Sequence, residues 1–377
     1  MAKIGLHIVA QPHAGGTYQY NLSVIHALDA LRARGHEITC FFIHPEWREA
    51  LPKSFRQVFV RRSVLRRALT RYFPSLNPVI GVIERSDVEL VVYPSQEDLP
   101  YRCRKPALSA IHDLMHRYEP QLEEYQHGEF EKREKHYSSV CRASRGILVD
   151  SEMGRRHVVE SYGKSASEIF ILPLRPPAYI QTSPDVDLRA KYQLPARFVF
   201  YAAQFWTHKN HVRLVEAIKI LKDRGVDVTL VLVGSKKNGF EGVMRRITEL
   251  GLESSVLVPG YVPNEDMASF YRQAVALVFA SLIGPTNTPL NEAMQVGCPV
   301  VASSAYGMPE QLGGAGLLFD PKSPADMADK IERVWTDEKL RQELIAKGKA
   351  RSRWYDDEPF NAMLELAINA CLKNQKS

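Results

Sequence analysis

The sequence predicts an α/β protein made of two doubly wound domains, each a parallel sheet with helices on both faces. Three observations predict it. Short β-rich runs alternate with helical patterns along the chain, joined by brief connections. The chain has 377 residues, enough for two domains with a core each. Near the middle, Pro173-Leu174-Arg175-Pro176-Pro177 and a Ser/Pro/Asp-rich stretch to Pro195 mark a boundary.

In the first half, strands are expected at Ile4–Val9, Ile38–Ile43, Val88–Tyr93, Ala107–Ile111, Ile147–Val149 and Ile169–Leu172. A helix carrying Leu22, Ile25 and Leu28 falls before the stop at Gly35. In the second half, strand Phe198–Ala203 leads to a helix with Leu214, Val215, Ile218 and Leu221 on one face, closed by Gly225. Strands Val228–Val233, Val256–Val258, Val275–Ala280 and Val300–Ala302 follow, with helices between them.

Composition is that of a globular protein, 45% hydrophobic and 24% charged. The opening MAKIGLHIVA is too short and too soon interrupted for a signal peptide. No apolar run approaches the ~20 residues that span a bilayer. Five scattered cysteines (Cys40, Cys103, Cys141, Cys298, Cys371), without a CxxC pair, suggest a reducing compartment and neither disulfides nor a metal site. A cytoplasmic protein is expected.

The net charge of +6 is concentrated toward the N-terminal half. Lys53, Arg56, Arg61, Arg62, Arg66, Arg67 and Arg71 occur with no acid between Glu49 and Glu84. Val58, Val60, Val64, Leu65, Leu69, Tyr72 and Phe73 are interleaved, so residues 53–73 read as amphipathic. Such a segment suits an anionic membrane surface, at ~1 kcal/mol per basic residue, or forms an ordinary solvated face. No nucleic-acid module accompanies the charge, so no nucleic-acid partner is expected.

The most informative segment is Gly284-Pro285-Thr286-Asn287-Thr288-Pro289-Leu290-Asn291-Glu292-Ala293, between a strand and a helix that Gly297 would stop. Thr288 suits the cap and Pro289 the first helical position. A helix start presents unpaired N–H groups, which suit a phosphate or sugar hydroxyl. Glu292 falls after the first turn, where a carboxylate accepts hydrogen bonds from ribose or sugar hydroxyls.

This segment, together with FVFYAAQFWTHKNHVRLVEAIKIL over residues 198–221, resembles the C-terminal half of retaining GT-B glycosyltransferases of family 4. The similarity runs from Gly15-Gly16 to the closing helix near Trp354. It implies two Rossmann-like domains facing across a cleft. Residues 1–180 would form the acceptor-side domain and 181–356 the nucleotide-sugar domain. Residues 357–377 would be a helix returning to the first domain. It also implies a nucleotide diphosphate sugar as donor substrate, a glycan or lipid-linked glycan as acceptor, and no cofactor.

By that resemblance Lys209, of the Lys209-Asn210 pair, holds the diphosphate. Relatives place an arginine five positions earlier, where this chain has Gln204; His208, Arg213 or Lys236 would compensate. Glu292 matches the ribose-binding second glutamate of a pair whose first member aligns with Gly284, so the pair is incomplete. Thr286, Asn287, Thr288 and Leu290 then offer neutral contacts to the donor. Gly15-Gly16-Thr17 looks like the N-terminal glycine loop, and it is not a GxGxxG fingerprint. His112-Asp113 resembles the step that sets a histidine over the reacting carbon, by side chain or peptide carbonyl; a buried structural histidine is the alternative. Asp150-Ser151-Glu152 reads as architectural or acceptor-side. Gly234 and Tyr261 follow strands where relatives border the nucleotide, and Glu310 matches a family glutamate of open role.

No His/Cys/Asp cluster has metal-ligand spacing and no DxD-like motif ends a strand, so no metal requirement is expected. The expected activity is a hexosyl or deoxyhexosyl transfer, mannose- or rhamnose-like, in surface polysaccharide assembly. A GT-B epimerase or phosphorylase, or an inactive nucleotide-sugar-binding module, are the rival readings.

Overall fold

A computed structural model of the protein describes residues 1–12, 15–61 and 77–373. The chain divides into two compact units: residues 1–175 with 356–377, and residues 176–355.

The first unit is a seven-stranded sheet in the order β3-β2-β1-β4-β5-β6-β7. Its strands are β1 Lys3–Ile8, β2 Glu37–Phe42, β3 Arg56–Phe59, β4 Leu90–Tyr93, β5 Ala107–Ala110, β6 Gly146–Val149 and β7 Ile169–Ile171. All pair in parallel. Residues of β4, β5 and β6 are buried along their whole length, the continuous apolar run expected of a sheet covered on both faces. Helix Asp357–Lys373 packs here, with Phe360, Leu364, Ala367, Ile368 and Cys371 in the same core as Ile4, Leu6 and Leu28.

The second unit is a six-stranded parallel sheet in the order β10-β9-β8-β11-β12-β13. Its strands are β8 Val199–Ala202, β9 Leu230–Val233, β10 Val256–Gly260, β11 Ala276–Phe279, β12 Val300–Ser303 and β13 Leu317–Phe319. Gly225 and Gly297 sit in left-handed turns at φ 76° and 78°, so the helices stop where the sequence predicted. In both sheets the order reverses beside the first strand, between β1 and β4 and between β8 and β11. Ligands of doubly wound sheets bind outside the carboxyl ends of the strands at such a reversal.

Two strands lay outside the sequence reading. Residues 56–59, read as part of a basic amphipathic segment, form β3, paired on one side with β2 from Thr39–Arg56 to Phe42–Phe59. Val60 beyond it is buried in the unit's interior. The rest of that segment, from residue 62, lies outside the described residues. No helix among the described residues is long and apolar enough to cross a membrane. The five cysteines are all buried and unpaired with one another.

Candidate functional site

The predicted site residues fall into two groups, each at the strand ends of its own sheet; in the second unit Gly234 and Tyr261 follow β9 and β10, beside the strand-order reversal and not at it. In the second unit, β8 runs out into a loop that ends in one turn, Thr207–Lys209, before helix His211–Asp223. Asn210 takes a left-handed conformation, φ 62° and ψ 30°, which asparagine tolerates better than most residues. Its side-chain amide donates to the carbonyls of Ala280 at 3.1 Å and Pro321 at 2.7 Å, and its oxygen accepts from Arg213 at 3.0 Å. The Leu282 N–H reaches the His208 carbonyl at 2.9 Å. The Tyr201 hydroxyl reaches the Lys209 carbonyl at 2.9 Å. Asn210 therefore bolts the Lys209 loop to the end of β11. The Lys209 ammonium lies 5.4 Å from the Phe279 ring centre.

Gln204 is exposed and accepts from the Trp206 indole at 2.9 Å. Of the residues offered in place of the missing arginine, Arg213 is committed to Asn210. Lys236 lies over the Phe240 ring at 4.4 Å, and His208 stacks on Trp206 at 6.4 Å. Gly234 has a packing reason: a Cβ there would stand 2.1 Å from the Ala203 carbonyl oxygen, so only glycine lets the loops after β8 and β9 close on each other. Tyr261, after β10, is 70% exposed.

The 284–293 segment departs from the expected capping. The helix spans Thr288–Val296 with Asn287, not Thr288, at the cap, and Pro289 is its second residue. The Asn287 side chain makes no cap bond; instead its backbone is clamped by Gln311. The Asn287 N–H donates to Gln311 Oε1 at 2.9 Å, and the Asn287 carbonyl accepts from Gln311 Nε2 at 2.7 Å. Gln311 Nε2 also reaches Asn291 Oδ1 at 2.7 Å. Gly284 has φ 141°, and a Cβ built on it would meet the Asn287 side-chain amide at 2.6 Å. Thr286 and Thr288 are partly buried. Leu290, expected at the donor, has its side chain fully buried in the unit's core, and its N–H donates to the Asn287 carbonyl.

Glu292 is 7% exposed and turned onto the Tyr271 hydroxyl, which donates to Oε2 at 2.5 Å. Burial pushes its carboxyl up to about 7, against the opposing effect of the Tyr271 bond. Tyr271, from helix Asn264–Gln273, is itself fully buried and pushed well above its usual range by burial first and by Glu292 next.

In the first unit, Gly15 and Gly16 are exposed and open helix Gly15–Ala33, Gly15 at φ 60°. A cavity of about 470 Å³ lies at the ends of β1, β4 and β5, and Gly16, Thr17, Tyr20, Ser95 and His112 are among its lining. Both nitrogens of His112 meet protein acceptors: Nδ1 faces Asp150 Oδ1 at 3.0 Å and Nε2 faces the Pro94 carbonyl at 3.1 Å. Burial pulls the imidazole down, but Asp150 and the Pro94 carbonyl outweigh it, and the net shift is upward. Of the Asp150-Ser151-Glu152 segment, Ser151 caps the next helix by accepting from the Gly154 N–H at 3.1 Å.

Sequence reasoning missed Tyr271 and Gln311, which bond Glu292 and Asn287 from 21 and 24 residues away. No local pattern signals such partners. Among the described residues, no group of three or more His, Cys, Asp or Glu is placed to hold a metal ion.

Strand order and strand-end loops in both units define the chain as a GT-B-type α/β protein. The family model of the glycosyl transferases group 1 matches residues 187–351, within the second unit. The chain is 27% identical over 267 residues to O-antigen chain mannosyltransferase B of Escherichia coli, covering 69% of each chain. It is 24% identical over 298 residues to the serotype-specific mannosyltransferase WbdA of Escherichia coli, covering 76% of this chain but 35% of that one. Among solved structures, Anabaena Alr3699/HepE in complex with UDP and glucose superposes with a TM-score of 0.74 at 18% identity, covering 98% of this chain and 100% of that one.

Proposed function

We propose that the protein is a retaining hexosyltransferase that moves a mannose-like sugar from a nucleotide diphosphate donor to a hydroxyl of a growing surface glycan. The observation that carries the reading is the second unit's strand-order reversal. There Asn210 fixes the Lys209 loop against the end of β11, beside the clamped 284–292 segment. Lys209 supplies the charge for a diphosphate, and the N-terminus of helix Thr288–Val296 supplies N–H groups for a donor oxygen. Glu292 supplies the ribose contact.

Transfer of this kind needs charge stabilised on the departing diphosphate and little covalent participation by the protein. With Gly284 in place of a first glutamate, retention is assigned to departure and attack on the same face, the leaving phosphate taking the acceptor proton. The mannose-like donor and the O-antigen setting follow the names of the related mannosyltransferases. No metal is invoked; the rate is expected to be unchanged by EDTA.

The test is a thermal-shift screen against GDP, UDP, dTDP, ADP and their sugar conjugates, where a ligand at ~100 times its Kd adds ~2.7 kcal/mol. One nucleotide is expected to raise Tm selectively, and Lys209→Ala to abolish that rise and the sugar transfer. Unchanged turnover in Lys209→Ala would remove Lys209 from the site. An inverted product would overturn retention.

A further inference from the structure

The cavity of the first unit carries a feature that sugar recognition by itself does not require. His112 sits at the end of β5 with both ring nitrogens facing atoms that accept hydrogen bonds. The Pro94 carbonyl can only accept, so Nε2 carries a proton. The Asp150 carboxylate, 2% exposed at the end of β6, faces Nδ1 at 3.0 Å. A neutral imidazole has one N–H and would leave one of these contacts without its proton; a doubly protonated ring satisfies both. We propose that Asp150 is a positioning residue that holds His112 as a fixed imidazolium in the cavity wall, a source of positive charge and not a proton acceptor.

The other groups around the ring agree with this. Tyr20, from helix Gly15–Ala33, meets the imidazole in a T-shaped contact with ring centres 4.7 Å apart. Its hydroxyl is buried with no hydrogen-bond partner among the described residues, and it lines the cavity. Asp113, next in the chain, adds a second carboxylate that favours the charged ring, and the His112 proton affinity is raised overall although burial alone would lower it. With both N–H groups engaged, His112 offers a ligand its charge and ring face but no lone pair. A ligand here would be an oxygen-rich group that gains from a nearby cation and from the Tyr20 hydroxyl, such as a sugar hydroxyl or a sugar carrying an anionic substituent.

The experiment is a proton titration of the ¹⁵N-labelled histidine side chains of the full chain, with His112 assigned through His112→Gln. In the wild type the His112 ring is expected to carry both protons at neutral pH and to titrate above the ordinary histidine range. In Asp150→Asn, which keeps an acceptor but removes the charge, the midpoint is expected to fall by at least about one unit, since an adjacent opposite charge shifts a pKa by ~1–3. A wild-type midpoint at or below the ordinary value would overturn the inference, and that measurement stands whether or not the variant folds. The kinetic arm rests on the transfer reading above. The alkaline limb of the transfer rate is expected to move to lower pH in Asp150→Asn, by the same interval as the titration. A limb that stays in place while the midpoint moves would return His112 to a purely structural role. Absence of any transfer activity would count against the proposed function and leave the titration as the judge.

Discussion

Glu292→Gln should make the protein more stable at slightly alkaline pH while weakening donor binding. The carboxyl is 7% exposed, and burial raises it from an ordinary value of 4.5 to about 7. Below about pH 4.5 the group is protonated in both the folded and the unfolded chain and has no effect on their balance. Between 4.5 and 7 the folded chain holds a proton the unfolded chain has released, so stability falls as pH rises. Above 7 the loss is complete. At ~1.36 kcal/mol per unit, a shift from 4.5 to about 7 amounts to roughly 3 kcal/mol.

Glutamine keeps an oxygen to accept from Tyr271 and has no charge to desolvate. The substitution should therefore recover most of that loss at pH 8 and almost none at pH 4.5. For a domain of this size about 1 kcal/mol moves Tm by ~2–4 °C, so the expected gain at pH 8 is roughly 6–12 °C. Thermal unfolding of both proteins from pH 4.5 to 8.5, without nucleotide, measures it. Equal Tm values at pH 8, or parallel pH profiles, would refute the assignment of a buried, raised carboxyl to Glu292. The same variant should bind the selected nucleotide more weakly, which separates the role of the carboxylate in binding from its cost to the fold.

Two further outcomes are expected. Gln311→Leu, close in volume, removes both partners of the Asn287 backbone at a cost of about 1–3 kcal/mol for each buried group left unsatisfied; KM for the donor should rise more than kcat falls, and an unchanged KM would show that the clamp does not set the loop. Glu134, which accepts two bonds from Arg117 and one each from His116 and Tyr162, is held down to about 2, chiefly by Arg117. It contributes stability that is present above the ordinary 4.5 and lost as pH falls toward about 2, so Glu134→Gln should lower Tm at pH 7 and narrow its gap to the wild type on acidification.

How far the sequence could be read depended on how local each feature's cause is. Strands β4, β5, β9 and β11 are short apolar runs between turn residues, and the glycines at 225 and 297 end helices by backbone geometry alone; both kinds of signal are written within a few residues. Strand β3 was missed because Arg56-Gln57-Val58-Phe59 is an edge strand, exposed enough to carry charge, and its pattern is the one a surface segment would show. Strand β13, Leu317–Phe319, was missed although runs as short were read elsewhere. At the site, the placement of Lys209, Glu292 and His112 just beyond strand ends was visible from the strands that precede them. The pairings were not: Asp150 was read only as architectural or acceptor-side and not as the partner of His112, while Tyr271 and Gln311 reach Glu292 and Asn287 from other helices, and only folding brings their polar atoms within reach. The burial of Leu290 was hidden for the opposite reason, since a motif that reads as a loop continues there as a helix whose periodicity turns the side chain to the core.

The packing of Gly284 against Asn287 constrains the routes by which this loop can change. Any side chain at 284 would collide with the amide of 287, and the backbone at 284 already sits at φ 141°, where side chains are strained. A glutamate introduced at 284 would therefore push out the residue whose backbone Gln311 grips. Shortening Asn287 to glycine first would open the volume, at the expense of backbone freedom in the unfolded chain. The two positions are thus coupled, but only in part: removing the Asn287 side chain lifts the collision and leaves the strain at φ 141°, so a carboxylate at 284 also needs the backbone to move. A library that varies 284 alone would measure two effects together, the size of its neighbour and the backbone conformation that glycine tolerates, and varying 287 with it would separate them.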